Sequence, residues 1–447
     1  MRILKIVPGS EGSFPGGNYL RDEALVAELR WAGHDVILLP LCLPIAGATA
    51  ESLATVPLFY GAARIYLEHR FAFIRRSPGW FKRLLDHPRM LRHAARRIDR
   101  TASDKIAGLM LSLLRGENGA QTRELDALVD WIKKQTRPDV IHVSNALFLG
   151  LARRLRTTHR VPVVFSMQDE DRWINSLPGS YPKRIWSEMR ARAPDIATFI
   201  AVSHFAAAKI PGRLGISPKI IRVVHPGLDL ATCPQTAPPA PPVWGVVCDG
   251  YDKGHLELIF RTLMDVRARP GCEHLRLHLT IDSTSPAAKS NYQHLHRRIA
   301  LSRELHEVVQ VFPPLTRQAD KLAFLGSLTV LTTLNAEESA FDGLLIEAMA
   351  CGVVLLLPDR GANPEILAMA EGGVLYDSSR ADALAEPLAG LVASPSHHSI
   401  LAYRGRHGVE HGFGLDRMAH ETIEAYKAAI ASQTPLEPYR KLRVIDV

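Results

Sequence analysis

Glu347 sits one turn inside a predicted helix, GLLIEAMAC, that begins near Gly343 and ends at Gly352. A helix start offers unpaired backbone N–H groups and the positive end of a dipole, a natural site for a diphosphate. A carboxylate one turn further in can accept hydrogen bonds from two vicinal hydroxyls. Lys253, in Asp252-Lys253-Gly254, supplies a point charge for phosphate; its plainer reading is an exposed loop lysine. Gly16 and Gly17 allow backbone to approach a ligand closely, or only form a tight turn. Asp342 lies just before the helix start, where a carboxylate either repels phosphate or acts as a plain N-cap. His142 ends a predicted strand, VIHVS, and reads either as a cleft-lining side chain or as a satisfied core histidine. Gln168 follows another strand and can hydrogen-bond to hydroxyls, but it cannot transfer protons at neutral pH.

The elements that must hold these residues follow from apolar runs. MRILKIV reads as a buried strand, then comes a glycine-rich loop, a helix from near Asn18 with Leu20, Ala24, Ala27 and Trp31 on one face, and the strand DVILLPL. Strand, loop, helix, strand is a βαβ unit, and such units build parallel sheets. PDVIHVS, VPVVFSM, FIAVS and KIIRVVHPG continue the alternation. From Cys233 to Val243 the chain is uncharged and carries five prolines, which reads as a stiff, extended linker. The alternation then restarts with VWGVV, LRLHLTI, VVQVF, LTVLTTL and VVLLLP, and a last helix is expected near Leu415 to Ala431. These patterns predict two doubly wound, Rossmann-like α/β domains facing a cleft, with ligands at the carboxyl ends of the strands. The expected divisions are a first domain over 1–230 with a basic helical insertion at about 60–105, a linker over 231–243, a second domain over 244–410, and a last segment over 411–447.

Composition excludes several classes. With 447 residues, 47% hydrophobic and 22% charged, the chain has material for two large cores and no signature of disorder. Five scattered cysteines without metal spacing fit free thiols in a reducing compartment. The opening MRILKIVPGS breaks at Pro-Gly before a signal core develops, and the longest apolar runs are short and cut by prolines. The expectation is a cytoplasmic protein, peripheral at the inner face of a membrane if it meets one. The net charge of +8 is concentrated: from Arg64 to Arg100 eleven Lys and Arg face three acids, with aromatics between them. That stretch suits an anionic lipid surface or a phosphate-bearing acceptor, or is simply a solvated face. No nucleic-acid motif accompanies it.

The block ESAFDGLLIEAMACGVVLLLPDRGANPEIL resembles the donor-site signature of the family 4 (group 1) glycosyltransferases, which have the GT-B fold. Supporting matches run along the chain: the Pro-Gly-Gly loop, Ala-Gly-His-Asp-Val, His-Pro-Gly-Leu-Asp at 225–229, Asp-Lys-Gly at 252–254 and GGVLYD. The resemblance implies an enzyme that moves a sugar from a nucleoside-diphosphate sugar to a hydroxyl acceptor, with retention. The setting it implies is polysaccharide, lipopolysaccharide or glycolipid synthesis, with an acceptor that can be lipid-linked. It implies donor contacts from Gly16, Gly17, Lys253, Phe341, Asp342, Gly343, Leu344 and Glu347, with Glu347 holding the ribose, and places Gln168, His142 and Glu338 near the chemistry. It further implies that the helix in the last segment, 411–447, crosses back to the first domain. No cofactor or metal is implied. Asp169-Glu170-Asp171 mimics the metal motif of the other glycosyltransferase fold but reads here as cleft or loop acids, and His294, His296, His397 and His398 lack a third ligand at zinc spacing.

The sequence also departs from the family pattern. Cys248 stands where a second phosphate-binding arginine is expected, Ser339 where the family's first Glu falls, and Asp342 at a Gly position. Gln168 replaces a histidine. A one-residue bulge would bring Glu338 to the place of Ser339. These departures define an alternative: a GT-B-fold protein without turnover, acting as a binding or partner subunit.

Overall fold

The computed structural model describes residues 1–8, 19–41, 103–168, 170–249, 253–281, 286–315, 317–335, 338–380 and 383–432. The Gly16-Gly17 loop, Asp169 and the basic stretch 64–100 lie outside the described residues, as does the side chain of Lys253.

The first set of elements is β1 (Arg2–Val7), α1 (Tyr19–Trp31), β2 (Asp35–Pro40), α2 (Ser103–Leu114), α3 (Thr122–Lys134), β3 (Val140–Ser144), α4 (Ala152–His159), β4 (Val163–Met167), α5 (Glu170–Asn175), α6 (Tyr181–Arg192), β5 (Thr198–Ala201), α7 (His204–Leu214) and β6 (Ile221–Val223). The second set is β7 (Val243–Asp249), α8 (Lys253–Arg267), β8 (Arg276–Ile281), α9 (Pro286–Ala300), α10 (Arg303–Val308), β9 (Val309–Phe312), α11 (Gln318–Leu325), β10 (Val330–Asn335), α12 (Gly343–Ala350), β11 (Val354–Pro358), α13 (Asn363–Ala370), β12 (Gly373–Tyr376), α14 (Ala385–Ala393), α15 (Pro395–Gly412) and α16 (Leu415–Ala431). The apolar runs anticipated every strand but β12, whose four residues open on glycine and give little periodicity to read.

Each set forms one six-stranded sheet, ordered β2-β1-β3-β4-β5-β6 and β12-β11-β10-β7-β8-β9, with all pairings parallel. In both, the order reverses beside the first strand: between β1 and β3, and between β7 and β10. At such a reversal the following helices go to opposite faces and leave a crevice beyond the carboxyl ends of the strands. In the second sheet, Leu256, Ile259, Phe260 and Leu263 of α8 join one core, whereas Leu345, Ile346 and Met349 of α12 join the other.

The first sheet is likewise covered on both faces. Ile3, Val140, Val164 and Ile200 turn one face toward Leu25, Val26 and Leu29 of α1 and toward Met418, Ala419, Ala425 and Tyr426 of α16. The last described helix therefore completes the core of the first domain. Between the sheets, residues 234–242 form neither helix nor strand. They run along the end of α12, where the Thr236 amide donates to the Cys351 carbonyl at 3.1 Å.

Candidate functional site

The crevice of the second sheet is set by two helix starts. Lys253 opens α8 directly after β7, and Gly343 opens α12 after β10, its neighbour in the sheet. A Cβ placed on Gly343 would meet nothing within 4 Å, so the start of α12 is open on that side. Asp342 is the N-cap: its carboxylate accepts from the Leu344 amide at 3.0 Å, and its carbonyl accepts from the Leu345 amide at 3.2 Å. Of the two roles open to Asp342, the structure shows the cap. The Leu344 amide, expected to face a diphosphate, is already occupied.

Glu347 is held from one side only. The Lys321 ammonium, on α11, donates to Oε1 at 2.7 Å. Oε2 is buried and has no hydrogen-bond partner among the described residues, although the side chain as a whole keeps 13% exposure. Nearly all buried acceptors are satisfied, so an orphaned carboxylate oxygen marks a place for a missing donor. Lys321 was not singled out in the sequence, because nothing local marks a lysine 26 residues before its partner. Cys248 is fully buried in β7 and supplies no cation where a second one was expected.

The loop before α12 does not bring Glu338 toward the donor crevice. Its carboxylate pairs with Lys209 of α7, in the first domain, at 2.7 Å. The Ser339 carbonyl accepts the Ala362 amide at 3.1 Å, while Gly361, at φ +65, brings its backbone so close that a Cβ would lie 2.9 Å from that oxygen. The Ala340 carbonyl accepts from Ser203 Oγ at 2.6 Å. The expectation that a bulge carries Glu338 to the position of Ser339 gives way to a loop pinned between the two domains. Phe341 lies on the same seam, its ring 6.5 Å from that of His225 and 6.0 Å from that of Phe413.

His142 is a core residue, which corrects its placement in the reaction cleft. Strand alternation puts Lys5, His142, Ser144 and Ser166 on the face that carries Ile3, Val140 and Val164, beneath α1 and α16. His142 is 1% exposed. Its Nε2 meets Ser166 Oγ at 2.6 Å, and its Nδ1 meets the Tyr426 hydroxyl at 2.7 Å and Lys5 Nζ at 3.3 Å. Donation from Tyr426 and Lys5 to Nδ1 assigns the ring proton to Nε2, which donates to Ser166. Burial, together with the charges of Lys5 and Arg21, holds the imidazole well below its ordinary pKa, so it is neutral. Lys5 Nζ also reaches Asp22 Oδ1 and Ser144 Oγ, both at 3.0 Å. Burial lowers the lysine pKa and Asp22 opposes that shift.

Gln168, just after β4, is buried, and its backbone N–H donates to Glu170 Oε2 at 2.6 Å. The other oxygen of Glu170 accepts the Ala146 amide at 3.1 Å, so Glu170 braces the loops after β3 and β4. The structure thus separates the predicted residues. Lys253 and Gly343 open the two helices that follow the neighbouring strands β7 and β10, with Asp342 as the cap and Glu347 one turn further in, Phe341 and Glu338 lie at the seam, and His142 is enclosed in the first domain.

Glu365 is the residue that the sequence reading passed over. It stands in Gly361-Ala362-Asn363-Pro364-Glu365, and nothing local in that run marks its partners. Its Oε1 accepts the His204 amide at 2.7 Å and meets His225 Nε2 at 2.5 Å; its Oε2 accepts the Phe205 amide at 3.2 Å. A carboxylate from the second domain thus caps the start of α7 in the first. Burial would raise its pKa, but the hydrogen bonds from His225 and the two amides outweigh it and leave the carboxyl below its usual range.

Comparison with known proteins agrees with this architecture. Residues 105–232 match the family model Glycosyltransferase Family 4, and residues 289–408 match Glycosyl transferases group 1. Spore coat protein SA of Bacillus subtilis is 26% identical over 31% of this chain and 36% of its own length. The D-inositol 3-phosphate glycosyltransferase of Streptomyces bingchenggensis is 23% identical over 64% of each. The chain therefore spans 36% and 64% of the lengths of these two relatives. HepE of Anabaena, solved in complex with UDP, superposes with a TM-score of 0.61 over 95% of this chain and 99% of that one, at 15% identity. With two matching family models laid over two parallel doubly wound sheets, the chain belongs to the family 4 (group 1) glycosyltransferases of the GT-B fold.

Proposed function

We propose that this protein transfers a sugar from a nucleoside-diphosphate sugar to a hydroxyl acceptor, with retention at the anomeric carbon. The observation that carries the reading is the Glu347 carboxylate: one oxygen is fixed by Lys321 and the other is buried without a donor, one turn into a helix that opens on the crevice of its sheet. A ribose diol supplies the missing donor, and the diphosphate then lies toward Gly343 and Lys253. HepE, of the same fold, was solved with UDP, which makes UDP the first nucleotide to try. In this reading the leaving diphosphate takes the acceptor proton, so the protein's main contribution is positioning and charge stabilisation. No catalytic histidine is needed, in keeping with an enclosed His142 and a glutamine at 168. No metal takes part in the transfer. The acceptor sits against the first domain, on the side of Gln168, and Gly16 and Gly17 approach the donor.

The setting we infer is cytoplasmic synthesis of a polysaccharide, lipopolysaccharide or glycolipid. The basic, aromatic stretch 64–100 would bring the enzyme to an anionic membrane face or a lipid-linked acceptor. Among the described residues no helix is long and apolar enough to cross a membrane.

The test is calorimetric binding of UDP, GDP, ADP and CMP to the purified chain. One nucleotide binds the wild type, and Glu347→Ala and Lys253→Ala each weaken it at least about tenfold, or about 1.4 kcal/mol. A folded protein that binds none of the four overturns the transferase reading and leaves the subunit without turnover. Product anomers, read by NMR once the donor is known, decide retention.

A further inference from the structure

The three side chains at the seam carry a second possibility, independent of the transfer reading. His204 opens α7, His225 follows β6, and Glu365 projects from α13, so two belong to the first domain and one to the second. Their candidate ligand atoms all lie within 4.8 Å of one another. We propose that His204, His225 and Glu365 form a site for one divalent transition metal ion, zinc by ligand type, that braces the two domains with water as its fourth ligand.

The ligand chemistry is suitable. Zinc takes imidazole nitrogen and carboxylate oxygen at about 2.0–2.2 Å, in tetrahedral order, which spaces ligand atoms roughly 3.3 Å apart. The His225–Glu365 pair, at 2.5 Å, needs to open by less than 1 Å to reach that roughly 3.3 Å spacing, and the His204 nitrogen starts within 4.8 Å of both. His204 is exposed, and among the described residues its ring makes an edge contact with the His225 ring, at 5.7 Å, and no hydrogen bond. It offers both a spare ligand and an entry path from solvent. His225 and Glu365 are enclosed, with side chains 9% and 16% exposed.

The surroundings are those of a prepared ligand set. The His204 and Phe205 amides already orient the carboxylate. Arg417 Nη2 donates to the His225 carbonyl at 2.7 Å and fixes that loop. The rings of Phe341 and Phe413, 6.5 and 6.1 Å from the His225 ring, form an apolar wall. Outer groups of this kind hold first ligands in place and limit solvent access. As a ligand set, two imidazoles and one carboxylate bring one negative charge to a dication.

The experiment is a cobalt titration of the full chain after chelation and desalting. One equivalent of Co²⁺ gives the intense visible bands of a four-coordinate site, and one equivalent of Zn²⁺ abolishes them while raising the melting temperature. His204→Ala, which removes an exposed ring, weakens Co²⁺ binding at least about tenfold and loses the zinc-dependent rise. His411→Ala serves as the control. Its exposed ring stacks on His407 at 4.1 Å, the kind of surface pair that binds metals adventitiously, and this variant behaves as wild type. A folded wild type without bands at one equivalent overturns the proposal, and so do bands that survive His204→Ala or disappear in His411→Ala. Nucleotide binding is measured separately, so either reading can fail alone.

Discussion

At the scale of single residues, environment decides role. Glu347 and Glu365 are both acids on short helices of the second domain, yet one keeps a free buried oxygen and the other has every oxygen engaged. His142 shows how much a partner set matters: three donors and acceptors from β1, β4 and α16 close around it and keep it neutral. That neutrality has a pH signature. The folded pKa lies well below 6.5, so near and below pH 6.5 the unfolded chain binds a proton that the folded chain does not. Stability contributed by the neutral ring is present above pH 6.5 and is lost as pH falls from there toward the folded pKa. Between pH 7.5 and 5.5 the unfolding free energy from urea titration should drop, by up to about 1.4 kcal/mol per pH unit below 6.5. His142→Gln should flatten that part of the profile. An unchanged slope in the variant would place the titrating group elsewhere.

At the scale of elements, α12 holds a compromise between folding and binding. Its cap, Asp342, satisfies the Leu344 amide but places a negative charge where an anion would approach. Asp342→Ala should therefore separate the two effects. Loss of the cap lowers stability by about 1 kcal/mol. Loss of the charge strengthens nucleotide binding by about 0.3–1 kcal/mol, a few-fold in Kd. Chemical denaturation and calorimetry on the same preparation read both; a variant as stable as wild type would show that the cap contributes nothing. The helix itself was legible in the sequence, since GLLIEAMAC followed by Gly352 gives both a body and a stop. Its contacts were not: the Lys321 that fixes Glu347 belongs to a different helix, and no spacing rule connects them.

At the scale of the molecule, the two domains are tied across their seam and by the last described helix. Lys209–Glu338, Ser203–Ala340 and the Glu365 cap cross the seam, and α16 returns to cover the first sheet. Removing residues 415–447 should damage the domain that is most distant in sequence. It uncovers Ile3, Val140 and Val164, and it takes away the Tyr426 hydroxyl from His142. The truncated chain should aggregate or bind a hydrophobic dye, and early proteolytic cuts should fall in the first domain. A soluble, protease-resistant first domain without α16 would refute this.

Periodicity was sufficient for the architecture because it depends on short-range physics. Runs such as VVLLLP and VPVVFSM are buried on both faces of a parallel sheet, and such strands need continuous apolar sequence. The restart after the proline-rich stretch marked a second sheet, and the last helix was legible as Leu415 to Ala431. The motif around Glu347 gave the family. Only tertiary structure decided which polar residues are available for chemistry. Tyr426 meets His142 across 284 residues, and Glu365 meets the His204 amide across 161. A polar side chain is free or spent according to what the fold brings within about 3 Å of it. Neither its type nor its position in a motif contains that distance.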